Sequence, residues 1–355
     1  MKKQLKNPAI VIVAAALVCA ILSACTANYI KWIRVDDRSI SLYVDGELVV
    51  PKDAAGKIVE PFIYNGTVYL PALAVSEALG KIAEWDEATN SIYIGGRGPQ
   101  EITEITVSNA EELINALGSN KRIYMKEGVY NLSSVRLSSI NNSLVAVDEV
   151  YDGHELRLDG IHNLSIEGIG GAPSEIIVEP RYAFVLSFVN SSNIHIANVK
   201  AGHTEGGYCA GGVFSFAQCA GISIEKTFMY GCGTYGLVLD GVMDMAVTDS
   251  TIYDCTYGIM LVTKSKGILF ERCVFSDNTG GIGVSQSSDF VIDSCEFLRN
   301  VCFDSDSGSD YIFYASESDN VVVRNSRFAD NRAGGLSGSE GIQFYTSNVF
   351  ENNTF

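Results

Sequence analysis

The side chains able to do chemistry gather in two stretches. His203 and Glu205 fall within 202–209, and Asp304, Asp306 and Asp310 within 302–310. Asp304-x-Asp306-x-Gly308-x-Asp310 sets oxygen ligands at alternate positions, as a calcium loop would. It lacks the acidic fifth residue, the sixth-position glycine and the closing glutamate of an EF-hand. A Ca²⁺ site and a solvated acidic loop are both open readings. A second candidate is aromatic. Tyr230 matches Tyr253 in spacing, and Tyr235 nearly matches Tyr257. Set on an outer surface, these rings would form a platform for sugar rings, although tyrosine also favours exposed strand positions for its own reasons. Among the carboxylates, Asp240, Asp249, Asp254 and Asp277 recur along the chain, and Glu225, Glu271 and Asp293 share one column. Glycoside hydrolysis needs an acid and a base on opposite sides of the bond. A column does not by itself supply that.

What must position these residues is a repeat. One pattern is written five times between Ile222 and Asn331: an apolar-x-apolar triplet, a small residue, an apolar residue and a polar residue, at fixed offsets. The triplets begin at Ile222, Met245, Ile268, Phe290 and Val321, stepping by 23, 23, 22 and 31 residues. A fixed period in this range signals stacked units that cannot bury their apolar faces alone. Within each unit the apolar residues alternate at period two, which is strand spacing. About 22 residues holding two or three short strands make one coil of a parallel β-helix. Equivalent residues of successive coils then lie about 4.8 Å apart, so like stacks on like. The pattern predicts an inward column of small residues, Thr227, Ser250, Cys273, Cys295 and Ser326. It also predicts a turn column, Cys232, Cys255, Asn278, Asn300 and Asn331, whose asparagines can hydrogen-bond along the stack.

These repeats resemble the right-handed parallel β-helix family, the pectate-lyase-like superfamily, whose asparagine ladder matches Asn278, Asn300 and Asn331. The expected fold is mainly β: a β-helix over 101–355, preceded by a small α+β stalk domain. Ser108-Asn109-Ala110-Glu111 has the form of a capping box opening a helix over 110–117, which would cap the first coil. The resemblance implies two chemistries, Ca²⁺-dependent lyases with a basic residue and hydrolases with paired carboxylates. Neither signature is complete. Gly202-His203-Thr204 and Gly153-His154-Glu155 each lack the second glycine of the family's Gly-His-Gly element, and neither acidic loop contains lysine or arginine.

Residues 1–25 read as an export signal: Lys2, Lys3 and Lys6 precede an apolar run from Ala9 to Leu22, too short to span a membrane comfortably. Leu22-Ser23-Ala24-Cys25 resembles a bacterial lipobox, which implies cleavage before Cys25 and lipid on its sulfur. Residues 26–39 would be a tether. The chain carries 25 basic and 42 acidic residues, a formal charge of −17. Non-specific nucleic-acid binding is thereby excluded, and a polyanionic glycan would need a cation between. Residues 40–95 form the predicted stalk, with 96–100 as linker. Val44-Asp45-Gly46, Asn65-Gly66, Leu70-Pro71, Glu77-Ala78-Leu79-Gly80, Trp85-Asp86 and Ile92-Tyr93-Ile94 resemble the copper amine oxidase N-terminal-like domain of bacterial surface proteins. No histidine or cysteine lies between Ile40 and Gly95, so copper has no soft or imidazole ligand there.

Cys232 with Cys255, and Cys273 with Cys295, would stack within disulfide range, or pack as buried thiols. The last residues, 350–355, repeat 323–328, so the sequence ends inside a coil. Comparing coils places the extra loops, 202–209, 302–310 and 334–340, on one side of the cylinder, where function favours loops on a rigid scaffold. The expectation is an exported, lipid-anchored β-helix that binds a polysaccharide or cell-wall glycan, or serves as a surface scaffold. The alternative is a polysaccharide lyase or glycoside hydrolase acting at that loop face.

Overall fold

The computed structural model describes residues 34–35, 39–44, 46–53, 56–86, 91–95, 101–204, 211–231, 235–303, 310–339 and 341–355. By internal contacts the chain divides into two compact units, one ending at Lys81 and one starting at Ile82. The first unit holds two antiparallel hairpins, Leu42–Val44 with Glu47–Val49 and Phe62–Tyr64 with Thr67–Tyr69, and the helix Ala72–Ala78. Gly80 sits at φ +64°, the left-handed conformation that ends a helix cheaply only at glycine.

The second unit begins with the hairpin Ala83–Asp86 and Ser91–Ile94, and its body is a cylinder of three sheets, parallel except where Val145–Val150 pairs antiparallel at one edge. Each regular coil contributes one strand to each sheet, as Ala220–Glu225, Phe228–Tyr230 and Tyr235–Asp240 do before the chain returns to the first sheet at Met243–Thr248. The register is that of the repeat: Ile222 pairs with Met245, Met245 with Ile268, Ile268 with Phe290, and Phe290 with Val321. Inward residues fill the cylinder. Phe297 and Phe328 stack with ring centroids 4.6 Å apart and planes 7° from parallel, and Phe350 continues the stack at 5.0 Å.

Three strands per coil require sharp corners, and the backbone makes them with single residues at positive φ. Between the first and second sheets Asn198, Lys226, Asp249, Arg272, Ser294 and Asn325 lie at φ 47–56°. This region is sterically unfavourable for L-residues. It persists because each corner is tied to the next. The predicted small-residue column is buried at this corner: Thr227 donates its N–H to Ser250 Oγ (3.0 Å), Cys273 to Cys295 Sγ (3.3 Å), and Cys295 to Ser326 Oγ (3.1 Å). At the second corner Asn278 Nδ2 donates to Asn300 Oδ1 (3.0 Å), Asn300 Nδ2 to Asn331 Oδ1 (2.9 Å), and Asn331 Nδ2 to Asn353 Oδ1 (2.9 Å). A third ladder, not foreseen, runs through Ser265, Ser287 and Ser318, each hydroxyl accepting the backbone N–H one coil earlier at 3.0–3.1 Å.

Of the two readings open for the stacked cysteines, the structure has the buried thiols: Cys255, Cys273 and Cys295 are free, and Cys232 lies outside the described residues. One expectation needs correction. The helix Ala110–Ala116 is capped one residue later than the sequence suggests. Asn109 Oδ1 accepts the Glu112 N–H (2.9 Å), while Glu112 Oε2 reaches back to the Ser108 N–H (2.8 Å). That backbone bond holds the Glu112 carboxyl below its ordinary range.

Candidate functional site

The first coil is the one that breaks the rhythm. Ile166 pairs with Ile123, 43 residues earlier, where every later coil pairs at 31 residues or fewer, as Val321 does with Phe290 at 31 and Val247 with Ile224 at 23. The extra chain forms two short 3-10 turns, Leu132–Ser134 and Leu137–Ser139, and an antiparallel hairpin of Val145–Val150 with Gly153–Asp159. Between turns and hairpin lies a cleft of about 460 Å³. Its apolar wall includes Leu156 and Pro180, and its polar lining includes Arg136, Asp152, His154 and Glu179.

The polar groups are held in place. At the hairpin tip, Asp152 accepts the backbone N–H groups of Arg181 (2.7 Å) and Tyr182 (3.2 Å), fastening the tip to the turn of the next coil. Gly153 permits this approach, since a Cβ there would stand 2.5 Å from Pro180 Cγ. Glu179 accepts from Asn131 Nδ2 (2.7 Å) and donates its own N–H to Ser133 Oγ (2.9 Å). Beside the cleft, Tyr151 and Tyr182 stand 5.1 Å apart, 88% and 38% exposed.

His203, expected in a loop, is instead the buried last residue of the strand Val199–His203. Its Nε2 bonds to the Ala183 carbonyl (2.9 Å), behind the turn that forms the cleft wall. Burial pulls its pKa down, so the ring is neutral near pH 7. It supports the turn and does not face a substrate. Cys25, Glu205, Asp304 and Asp306 lie outside the described residues. Asp310 is exposed and accepts the Gly334 N–H on its backbone carbonyl (2.7 Å).

The tyrosine columns exist, with a geometry that revises the flat platform. Tyr230 and Tyr253 lie on the outer face of the second sheet, centroids 5.6 Å apart and planes 22° from parallel. Tyr230 leans over Gly202, where a Cβ would meet its ring at 2.7 Å, and donates its hydroxyl to Glu175 Oε1 (2.7 Å). Lys200 Nζ bonds the same oxygen (2.8 Å) and sits 4.3 Å from the Tyr230 centroid. Lys200 comes from the coil before and Tyr253 from the coil after, so Tyr230 is enclosed from both sides. Burial, then the Glu175 bond, raises its pKa, and Lys200 and Tyr230 together hold Glu175 low. Tyr253 and the 39%-exposed Phe228 are left to offer ring surface. Tyr235 and Tyr257 meet at 80°, edge to face, because Tyr235 leans over Gly258. That pair is not a flat array.

The repeat carboxylates are mostly tied up. Arg272 binds Asp249 through two bonds (2.8 and 3.0 Å), Arg299 binds Asp277 (2.7 and 2.6 Å), and Arg324 binds Asp293 (2.8 Å), each from the following coil. Among the described residues no group of three or more histidines, cysteines or carboxylates could hold a metal ion, and no helix is long and apolar enough to cross a membrane. Sequence reasoning missed the cleft, Tyr151 and Tyr182, and the Glu175–Lys200 lock. The 43-residue spacing from Ile123 to Ile166 was the signal that could have found the cleft.

Residues 211–355 match the family of the right handed beta helix region, and residues 31–126 match the copper amine oxidase N-terminal domain. The fold is a right-handed parallel β-helix, and the N-terminal part is similar to the copper amine oxidase N-terminal domain. Among solved structures, this β-helix protein is similar to the pectate lyase pelN from Paenibacillus sp. 0602, with 12% identity, 72% of this chain and 79% of that one covered, and a TM-score of 0.50. It is also similar to the surface protein and adhesin PfbA of Streptococcus pneumoniae, at 9% identity, 67% of each chain and a TM-score of 0.39. A third is the alginate lyase from Paenibacillus sp. str. FPU-7, at 13% identity, 71% and 99% coverage and a TM-score of 0.37. At such identities the likeness is one of fold. No curated protein matches the sequence.

Proposed function

We propose that this β-helix protein is exported, held at the cell surface through lipid on Cys25, and binds a glycan along the outer face of its second sheet. The lysine-led apolar segment ending in Leu22-Ser23-Ala24-Cys25 supports export and anchoring. The observation that carries the binding role is the locked aromatic face. Glu175 and Lys200 fix Tyr230, Tyr230 stacks on Tyr253, and Tyr253 with Phe228 offers ring surface to solvent. Rings held before a ligand arrives lose little freedom on binding, which favours affinity. Aromatic faces suit the C–H faces of pyranose rings.

The test is retention of the chain from residue 26 onward on immobilised plant, algal and bacterial polysaccharides, with and without Ca²⁺, alongside assays for new reducing ends and unsaturated products. Retention without products, weakened in Tyr253→Ala and preserved in Tyr253→Trp, supports a binding module. Release of product from any glycan would replace that reading with an enzyme. Retention unaffected by Tyr253→Ala would move binding off this face.

A further inference from the structure

We infer that the cleft of the first coil is a second carbohydrate site, one that takes the end of a neutral glycan, a terminal pyranose with its neighbour. It stands on observations separate from the outer face of the second sheet. The cleft, about 460 Å³, is in the range of small-molecule sites and matches one or two sugar rings better than a long chain. It combines an apolar wall at Leu156 and Pro180 with polar groups of both kinds: carboxylate acceptors at Asp152 and Glu179, and nitrogen donors at Arg136 and His154. Vicinal sugar hydroxyls each donate and accept, so they need such a mixed lining.

The carboxylates are fixed before any ligand enters, Asp152 by the Arg181 and Tyr182 amides and Glu179 by Asn131. They still have lone pairs to offer. A uronate would bring its charge beside both of them, in a chain whose formal charge is −17. Like charges at that range disfavour binding, so the lining selects a neutral sugar. The mouth adds the aromatic element. Tyr151 precedes the lining residue Asp152, and Tyr182 lies two residues beyond the lining residue Pro180. Their tilted pair, 5.1 Å between centroids, is exposed on the hairpin tip and the turn that Asp152 joins. A ring leaving the cleft would pass against it.

The experiment is isothermal titration of the full soluble chain from residue 26 with neutral disaccharides of glucose, galactose and mannose, and with glucuronic and galacturonic acids as anionic probes. The expected result is saturable binding of at least one neutral disaccharide, weakened about tenfold in Tyr182→Ala and in Arg136→Gln, as for removal of an anchoring contact. Both side chains are at the surface, and matching unfolding midpoints would show that the variants fold. No saturable binding of any neutral disaccharide, tighter binding of the uronic acids, or loss in Tyr253→Ala but not in Tyr182→Ala would each overturn the assignment.

Discussion

The coils from Ile222 to Asn331 and the long first coil, from Ile123 to Ile166, are built on the same cylinder and use their side chains in opposite ways. In the regular coils the described strand and corner residues face their equivalents 22 to 31 residues on, so polar groups are satisfied by copies of themselves and acids by arginines one coil later. Such a surface is well bonded. In the first coil the two short turns and the strand Val145–Val150 have no equivalent in the next coil, only Gly153–Asp159 joins the parallel stack, and the polar group at the hairpin tip is held by unlike partners, as Asp152 is by the Arg181 amide. A cleft opens there. Repetition yields stability, and a recess needs a place where repetition stops.

The strongest way to break the regular side of this comparison is Asn300→Ala. Asn300 Oδ1 accepts both the backbone N–H and Nδ2 of Asn278, and its Nδ2 donates to the Phe275 carbonyl (2.8 Å), all in buried surroundings. Removing the side chain orphans these groups, at a cost of about 3 kcal/mol or more. Denaturant unfolding should show that loss. An equivalent deletion in the first coil, Asp152→Ala, orphans only amides near solvent and should cost about 1 kcal/mol. Equal costs would mean that the ladder contributes no more than an ordinary surface bond.

The legibility of the molecule divides along the same line. The period-two triplets located the first sheet, and the apolar residue five positions later located the second, because a parallel stack forces identical burial in each coil. The ladder could be read as far as Asn331, and the copy at 350–355 carries it to Asn353. The serine ladder of the third corner escaped notice, since serine is common at turns for many reasons. The cleft left only an indirect sign, the 43 residues between Ile123 and Ile166, because the hairpin's own contacts, Asp152 with the Arg181 amide and Glu155 with the Phe184 amide, are not repeated in other coils. The tyrosine columns were legible as columns only. Their tilt depends on Gly202 and Gly258, which provide room beneath the rings, and spacing does not report room.

That room gives the next prediction. At Gly202 a Cβ would lie 2.4 Å from the Tyr230 carbonyl oxygen and 2.7 Å from its ring. Gly202→Ala should therefore push Tyr230 away from Glu175, destabilising the protein by about 1–3 kcal/mol, as overpacking does. The Glu175 carboxyl, held low partly by the Tyr230 hydroxyl, should then titrate at higher pH. NMR titration of the glutamate side chain checks this. An unchanged Glu175 would mean that Lys200 alone sets its charge.

A smaller effect is expected from acid at the edge of the cleft. Burial depresses the His203 pKa below the ordinary 6.5, so the folded state resists a proton that the unfolded chain accepts. Stability tied to this ring is fully present above about pH 6.5 and declines as pH falls from there toward the folded value. His203→Gln keeps a donor for the Ala183 carbonyl and cannot titrate. Its urea midpoint should fall less between pH 7 and pH 5 than that of the parent, and identical slopes would show that other groups govern this window.

The smallest effect is expected in the ladder of the first corner, where it separates packing from hydrogen bonding. Cys295 Sγ accepts the Cys273 N–H at 3.3 Å, the task that Ser250 Oγ performs for Thr227 at 3.0 Å and Ser326 Oγ for Cys295 at 3.1 Å. The hydrogen bond with the Cys273 thiol, and then burial, push the Cys295 thiol pKa up, so it is neutral and unreactive as a thiolate. Cys295→Ser replaces it with the column's usual occupant and should change stability by less than about 1 kcal/mol. Cys295→Val keeps the size and removes the acceptor, leaving the Cys273 N–H unpaired in the interior, so it should cost more than the serine. If valine proves as good as serine, the column is only packed, and the corners of the regular coils are held by shape, as the first coil's apolar wall is, and not by the ladder of bonds.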